Sequence, residues 1–148
     1  MKDITKYQGI FPAFYACYDA EGGINPEAVR ALTRWFIEKG VKGVYVGGSS
    51  GECIYQSKEE RKVVLENVMA EAKGKLTVIA HVACNNTADS QELAAHAESL
   101  GVDAIASIPP SISICPPTPL PNTGTTFLPP LPIRISSSTT FPSWQAWR

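Results

Sequence analysis

Residues 8 to 110 alternate between short apolar runs and amphipathic helical patterns, with only a few residues between one element and the next. Ile10–Tyr15 is a short apolar strand candidate. Asn25-Pro26 then opens a helix, since Asn caps the end and Pro suits the first helical position. The spacing carries this helix to about Lys39, with Ala28, Leu32, Trp35 and Phe36 on one face and Gly40 as its stop. Val41–Val46 reads as a second strand. Ser57-Lys58-Glu59-Glu60 has the form of a capping box, and the helix it opens turns Val64, Val68 and Ala72 inward before Gly74 ends it. Leu76–Val82 is nearly continuous in apolar residues, as strands covered on both faces are. Thr87–Leu100 is a third helix, with Leu93, Ala94, Ala97 and Leu100 inward and Gly101 as its stop, and Ala104–Ile108 is a fourth strand. The order β-α-β-α-β-α-β specifies a parallel sheet with right-handed crossovers. Pattern alone leaves open whether the sheet is doubly wound or curls into a barrel. No G-x-G-x-x-G follows the first strand, so nothing supports a dinucleotide fold.

The pattern ends near Pro110. Residues 111–148 hold 8 of the 12 prolines, 12 Ser or Thr, and only two charged residues, Arg134 and Arg148. They follow neither period 2 nor period 3.6. The prolines remove backbone donors, so the expectation is an irregular, disordered Pro/Ser/Thr-rich tail after an α/β domain at 1–110. Thirteen Lys and Arg against 14 Asp and Glu leave a net charge of −1, with no electrostatic basis for a nucleic-acid partner. No apolar run is long enough to span a bilayer, and Met1–Lys6 is too polar to begin a signal peptide, so no membrane role and a cytoplasmic location are expected. Cys17, Cys53, Cys84 and Cys115 show no C-x-x-C spacing, and they read as small buried apolar residues. His81 ends a strand and His96 sits within a helix. Neither has a second ligand at metal spacing, so no metal site is expected; His81 reads as structural and His96 as half exposed.

One loop carries chemistry. Tyr45-Val46-Gly47-Gly48-Ser49-Ser50-Gly51-Glu52 leaves the C-terminal end of the second strand, where α/β proteins build their sites. Two adjacent hydroxyls among glycines and backbone N–H groups make a compact donor cluster for a small carboxylate or a phosphate. From spacing alone, a polar turn without function is an equal reading.

The string Y-V-G-G-S-S-G-E-C-I-Y-Q-S is similar to the G-G-S-T-G-E signature of N-acetylneuraminate lyases, and dihydrodipicolinate synthases carry a related G-T-T-G-E. The flanking G-V-K-G-V-Y-V and A-K-G-K-L-T-V-I-A-H-V-A-C-N-N-T-A-D-S extend the resemblance over residues 8 to 110. The latter stretch favours the sialic acid lyase branch. The resemblance implies the N-terminal half of a (β/α)8 barrel and a Schiff-base lyase that splits N-acetylneuraminate into N-acetylmannosamine and pyruvate, with no metal or organic cofactor. A dihydrodipicolinate synthase or another pyruvate-dependent aldolase is the alternative, and a non-enzymatic half-barrel fragment is a third reading. By position Ser49 and Ser50, beside Gly48, would hold the pyruvate carboxylate. Ser50 replaces the family threonine and keeps its hydroxyl. Gly51 and Glu52 would support the loop, with Glu52 bracing it and not acting as an acid–base catalyst. Relatives form homo-oligomers, and four strands with open edges imply a self-associating or aggregation-prone chain.

The family's proton-relay tyrosine and imine-forming lysine are not visible, and the last lysine is Lys75. No catalytic residue is therefore assigned within the 148 residues, and the chain by itself is expected to be inactive. Back-translation of the tail offers a reason. Taking the third base of each codon with the first two of the next, residues 111–116 permit Y-F-H-L-P, 122–127 permit Y-W-N-D-I, and 137–147 permit I-Y-N-I-P-Q-L-A-G-V. The last string is what the family carries on its fifth strand, tyrosine included. The expectation is a truncated chain whose residues 111–148 are read out of frame after a one-base deletion or a sequencing error near Pro110, the other reading being a real Pro/Ser/Thr-rich tail.

Overall fold

The computed structural model describes residues 5–108. Three helices alternate with three parallel strands: α1 (Pro26–Glu38), β1 (Gly43–Val46), α2 (Lys58–Ala72), β2 (Thr77–His81), α3 (Thr87–Leu100) and β3 (Ala104–Ala106). The strands lie in chain order, β1-β2-β3, with Val44 opposite Val78 and Ala80 opposite Ile105. The sheet therefore grows in one direction, as a barrel wall does, without the reversal that defines a doubly wound sheet.

The segment expected as a first strand is a correction. Residues 10–14 run along the free edge of β1, but only Ala13 and Tyr45 form a parallel bridge. The Lys42 amide donates to Ile10 O, the Tyr45 amide donates to Pro12 O, and the Phe14 amide donates to Tyr45 O. Pro12 has no N–H to give, so the ladder breaks where a regular strand would continue. The other strands are shorter than their apolar runs. Leu76 and Val82 flank β2, and both are buried without belonging to it.

The helix ends follow local chemistry. Asn25 Oδ1 accepts from the Ala28 amide at 3.0 Å, and Asn86 Oδ1 accepts from the Asp89 amide at 2.8 Å. Both halves of the Ser57/Glu60 capping box are formed. The core lies between the helices and one face of the sheet, where Phe14, Val29, Val44, Val68 and Val78 are essentially inaccessible. Each such side chain contributes about 1.5–3 kcal/mol through burial.

The buried stripe of α1 is Val29, Thr33 and Phe36; of the face expected inward, Phe36 is buried and Leu32 packs partly buried against the core, while Trp35 does not join them. Thr33 is accepted there because its hydroxyl donates to Val29 O one turn back, at 2.8 Å. Trp35 stays half exposed, with the Lys39 ammonium 5.5 Å from its ring centroid.

The N-terminal end of the sheet is closed by Asp103. Its carboxylate accepts from the Val78 amide and from Lys6 Nζ, and its carbonyl accepts from the Tyr7 hydroxyl. Contacts at that end of such a sheet serve stability, and the opposite, C-terminal rim is where α/β proteins build their sites. The residues expected as an irregular tail lie outside the described residues.

Candidate functional site: the serine turn at the strand rim

The chain leaves β1 at Val46 and turns at once through Gly47, whose φ is 71°. Ser49–Gly51 forms a single 3₁₀ turn. Gly48, buried, begins it in an extended conformation, and its carbonyl accepts from the Gly51 amide at 2.9 Å. Glu52 ends the turn in the left-handed region at φ 61°, with its amide bonded to Ser49 O at 3.0 Å. The amides of Ser49 and Ser50 precede the first of these bonds and have no acceptor inside the turn. Both serines are exposed, and among the described residues neither hydroxyl makes a hydrogen bond.

Gly51 is fixed by proximity. A Cβ at this position would stand 2.7 Å from Phe14 O, so the turn can press against the edge segment only without a side chain. Glu52, which ends the turn, is exposed. Its carboxylate lies against the Tyr18 hydroxyl, which also accepts from Gln56 Nε2 at 3.1 Å. The Tyr18 hydroxyl titrates above its usual range: the Gln56 bond pulls it down, and partial burial and the Glu52 carboxylate outweigh that pull.

The underside of the loop rests on His81, which the sequence marks as a strand-end structural residue, and on Arg61, which no motif marks. His81, at the end of β2, is 5% exposed, and its Nδ1 lies 2.9 Å from Gly47 O. Arg61, from the first turns of α2, is 7% exposed. Its Nη2 donates to His81 O at 2.7 Å, and its Nη1 donates to Ala83 O at 2.9 Å and meets Cys84 Sγ at 3.1 Å. Among the described residues this buried guanidinium has no carboxylate partner. It is held by carbonyl dipoles at the C-terminal edge of the sheet. Its place was legible from spacing, because Arg61, Leu65, Val68 and Ala72 share one face of α2. A charged residue on a helix is ordinarily read as solvent-facing, which is why it went unmarked.

Of the cysteines, Cys53 is buried and Cys17 and Cys84 are partly buried, while Cys115 lies outside the described residues. His96 is partly buried, and its Nε2 lies 2.8 Å from Glu66 Oε1.

His81 is kept neutral by this setting. Burial first, then the Arg61 charge, lowers its pKa from 6.5 to about 4, against the opposing pull of the Gly47 carbonyl. Between pH 4 and 6.5 the unfolded chain therefore holds a proton that the folded chain excludes. Stability rises with pH across that window and is fully present above 6.5. At about 1.4 kcal/mol per tenfold change in proton affinity, the whole effect amounts to about 3 kcal/mol. His81→Asn retains a donor for Gly47 and does not titrate. Urea midpoints at pH 4.5 and 7 should differ markedly more for the parent than for this variant, and equal pH slopes would contradict the assignment.

The fold and its rim define an α/β chain of parallel strands with a hydroxyl-bearing turn at the C-terminal edge of the sheet. The dihydrodipicolinate synthetase family model matches residues 6–114, and the chain belongs to that family. It is 74% identical over 110 residues to an N-acetylneuraminate lyase from Mediterraneibacter gnavus, a match covering 74% of this chain and 35% of that protein. An N-acetylneuraminate lyase from Escherichia coli O1:K1 is 43% identical over 106 residues, covering 72% of this chain and 36% of the relative. Among solved structures, wild-type Ruminococcus gnavus sialic acid aldolase superposes with a TM-score of 0.72 at 74% identity, covering 75% of this chain and 37% of that one. An N-acetylneuraminate lyase from Mycoplasma synoviae superposes with a TM-score of 0.73 at 31% identity, covering 77% and 40%. The chain thus spans about a third of the length of the curated relatives it matches, and its fold is that of the N-terminal part of their barrel. Among the described residues no helix is long and apolar enough to cross a membrane.

Proposed function

We propose that residues 8–110 carry the pyruvate-carboxylate clamp of a Schiff-base lyase acting on N-acetylneuraminate in the cytoplasm. The observation that carries this reading is the serine turn itself. Two adjacent free hydroxyls, and two amides ahead of the turn's first hydrogen bond, stand together at the strand rim in a chain with 74% identity to an N-acetylneuraminate lyase. A carboxylate accepts up to four such donors, and charge-assisted bonds are the stronger kind. In the complete reaction a lysine amine forms an imine with the ketone of the substrate, and the imine accepts the electron pair released as the C–C bond breaks. A tyrosine moves a proton between the imine-bound fragment and the sugar hydroxyl. Ser49 and Ser50 hold the carboxylate so that the reacting carbons are aligned. Gly48 lets the ligand approach, and Gly51 and Glu52 keep the turn in shape.

The 148-residue chain carries the proposed clamp, and none of its lysines lies after Lys75. It is expected to release no pyruvate from N-acetylneuraminate. We also assign residues 111–148 to a shifted reading frame, supported by the back-translated strings, and the nucleotide sequence across codons 108–116 tests this. The clamp is tested by titrating pyruvate into the ¹⁵N-labelled chain and following the amides of residues 47–52. Saturable shifts at Ser49 and Ser50 are expected, and Ser49→Ala or Ser50→Ala should weaken binding about tenfold, one charge-assisted hydrogen bond each. Amides that do not respond to pyruvate would remove the clamp. Turnover by the purified chain would remove the claim of inactivity.

A further inference from the structure

Beneath the serine turn is a small cavity between α2, α3 and the ends of β1 and β2. Arg61, Leu65, His81, Val82, Leu93 and His96 are among the residues that line it. Two of its polar atoms, His81 Nε2 and His96 Nδ1, are buried and have no hydrogen-bond partner. Buried polar atoms are paired in nearly all native structures, so two orphans on one cavity call for a common explanation.

The hydrogen-bonding roles of both rings follow from their other nitrogens. Gly47 O can only accept, so His81 Nδ1, 2.9 Å away, carries the ring proton. The same nitrogen cannot then accept from Arg61, whose Nη2 donates to His81 O. In the neutral ring that the surroundings enforce, His81 Nε2 is a bare lone pair. The Glu66 carboxylate also only accepts, so His96 Nε2 carries a proton. The remaining nitrogen of a neutral His96 is a second lone pair. Two acceptors cannot satisfy each other. They need one small molecule with two donors.

The cavity volume is about 20 Å³, and one water needs about 10–15 Å³. We propose that this cavity is a structural water site, in which one water donates one O–H to His81 Nε2 and the other to His96 Nδ1. Were His96 protonated, its Nδ1 would donate to the water, and the water would still donate to His81. The site is therefore satisfied in either charge state of His96. A metal cation fits poorly. The Arg61 guanidinium is within hydrogen-bond distance of His81, two imidazoles fall short of the four ligands zinc takes, and Leu65, Val82 and Leu93 supply none of the rest.

The water completes a continuous strut, Glu66–His96–water–His81–Gly47, from the outer helices to the glycine that leads into the serine turn. His96 and His81 act through it as positioning residues. This last consequence rests on the clamp reading, whereas the water site does not.

The test is NMR of the labelled 148-residue chain. Long-range ¹H–¹⁵N spectra should show His81 protonated at Nδ1 alone, and Leu93 and Leu65 methyls should show cross-relaxation to a slowly exchanging water. His96→Asn places an acceptor near the former Nδ1 and should keep that signal, while His96→Phe removes the acceptor, fills the space and should abolish it. Zinc added alone should leave both imidazoles unshifted. A His81 ring protonated at Nε2, no water contact in the parent chain, a contact that survives His96→Phe, or saturable zinc shifts at both rings would each overturn the site. Should His96→Phe fail to fold, the parent spectra still decide. Pyruvate enters none of these readings, so a failed clamp and a failed water site are told apart.

Discussion

Gly43→Ala is expected to lower the stability of the folded chain by about 3 kcal/mol, the upper part of the usual range for overpacking. Gly43 opens β1 opposite Thr77. A Cβ there would stand 2.2 Å from Thr77 O and 2.2 Å from the Phe11 ring. The ring could swing aside, but the carbonyl belongs to the paired strand and cannot move without disturbing the β1–β2 ladder. For a domain of roughly 100 residues, 3 kcal/mol corresponds to a fall in Tm of about 15 °C. Gly40→Ala is the matched comparison. That glycine has φ 71° with open space around its Cβ position, so only the left-handed backbone is penalised, by about 1–2 kcal/mol. Thermal melts of the two variants separate the causes: near-equal losses would mean that the strand contact is not what excludes a side chain at 43.

What could be read from the sequence was whatever depends on neighbours a few residues apart. Ser57 and Glu60 are three positions apart, and their capping box formed as spaced. Asn25 and Gly101 likewise mark helix ends, the one by local hydrogen bonding and the other by a left-handed backbone. The alternation of strands and helices fixed the parallel order, because short connections leave few other arrangements. Misreadings arose where a local rule met a tertiary one. Ile10–Tyr15 has strand composition, but Pro12 interrupts its ladder. Apolar spacing places Trp35 on the inward face, while Thr33 takes the buried position because its hydroxyl is satisfied within its own turn. The serine turn was visible as a motif, yet its support was not. Gly47 and His81 are 34 residues apart, and Arg61 and His81 are 20 apart. Only the folded sheet brings them to one rim.

Arg61→Ala is expected to be the most disruptive single change at that rim, lowering stability by about 3 kcal/mol. The guanidinium satisfies His81 O and Ala83 O at once, and each buried acceptor left without a donor costs about 1–3 kcal/mol. Truncation also opens space beneath Gly47, whose Cβ position lies 3.9 Å from Arg61 Nε. Arg61→Lys retains the charge but not the planar fork, so one ammonium cannot reproduce both carbonyl bonds. It should recover less than half of the loss, whereas full recovery would show that charge alone sets the site. A second readout is independent of stability. Arg61 is one of the two causes that hold His81 low, so removing it must move the His81 pKa upward from about 4 toward 6.5. The unfolded chain then holds an extra proton over a narrower range, and the rise of stability with pH between 4 and 6.5 becomes shallower. Denaturant midpoints across that range should show Arg61→Ala both less stable and less pH-sensitive than the parent. A variant that lost stability yet kept the parent's slope would mean that the guanidinium supports the carbonyls without acting on the histidine.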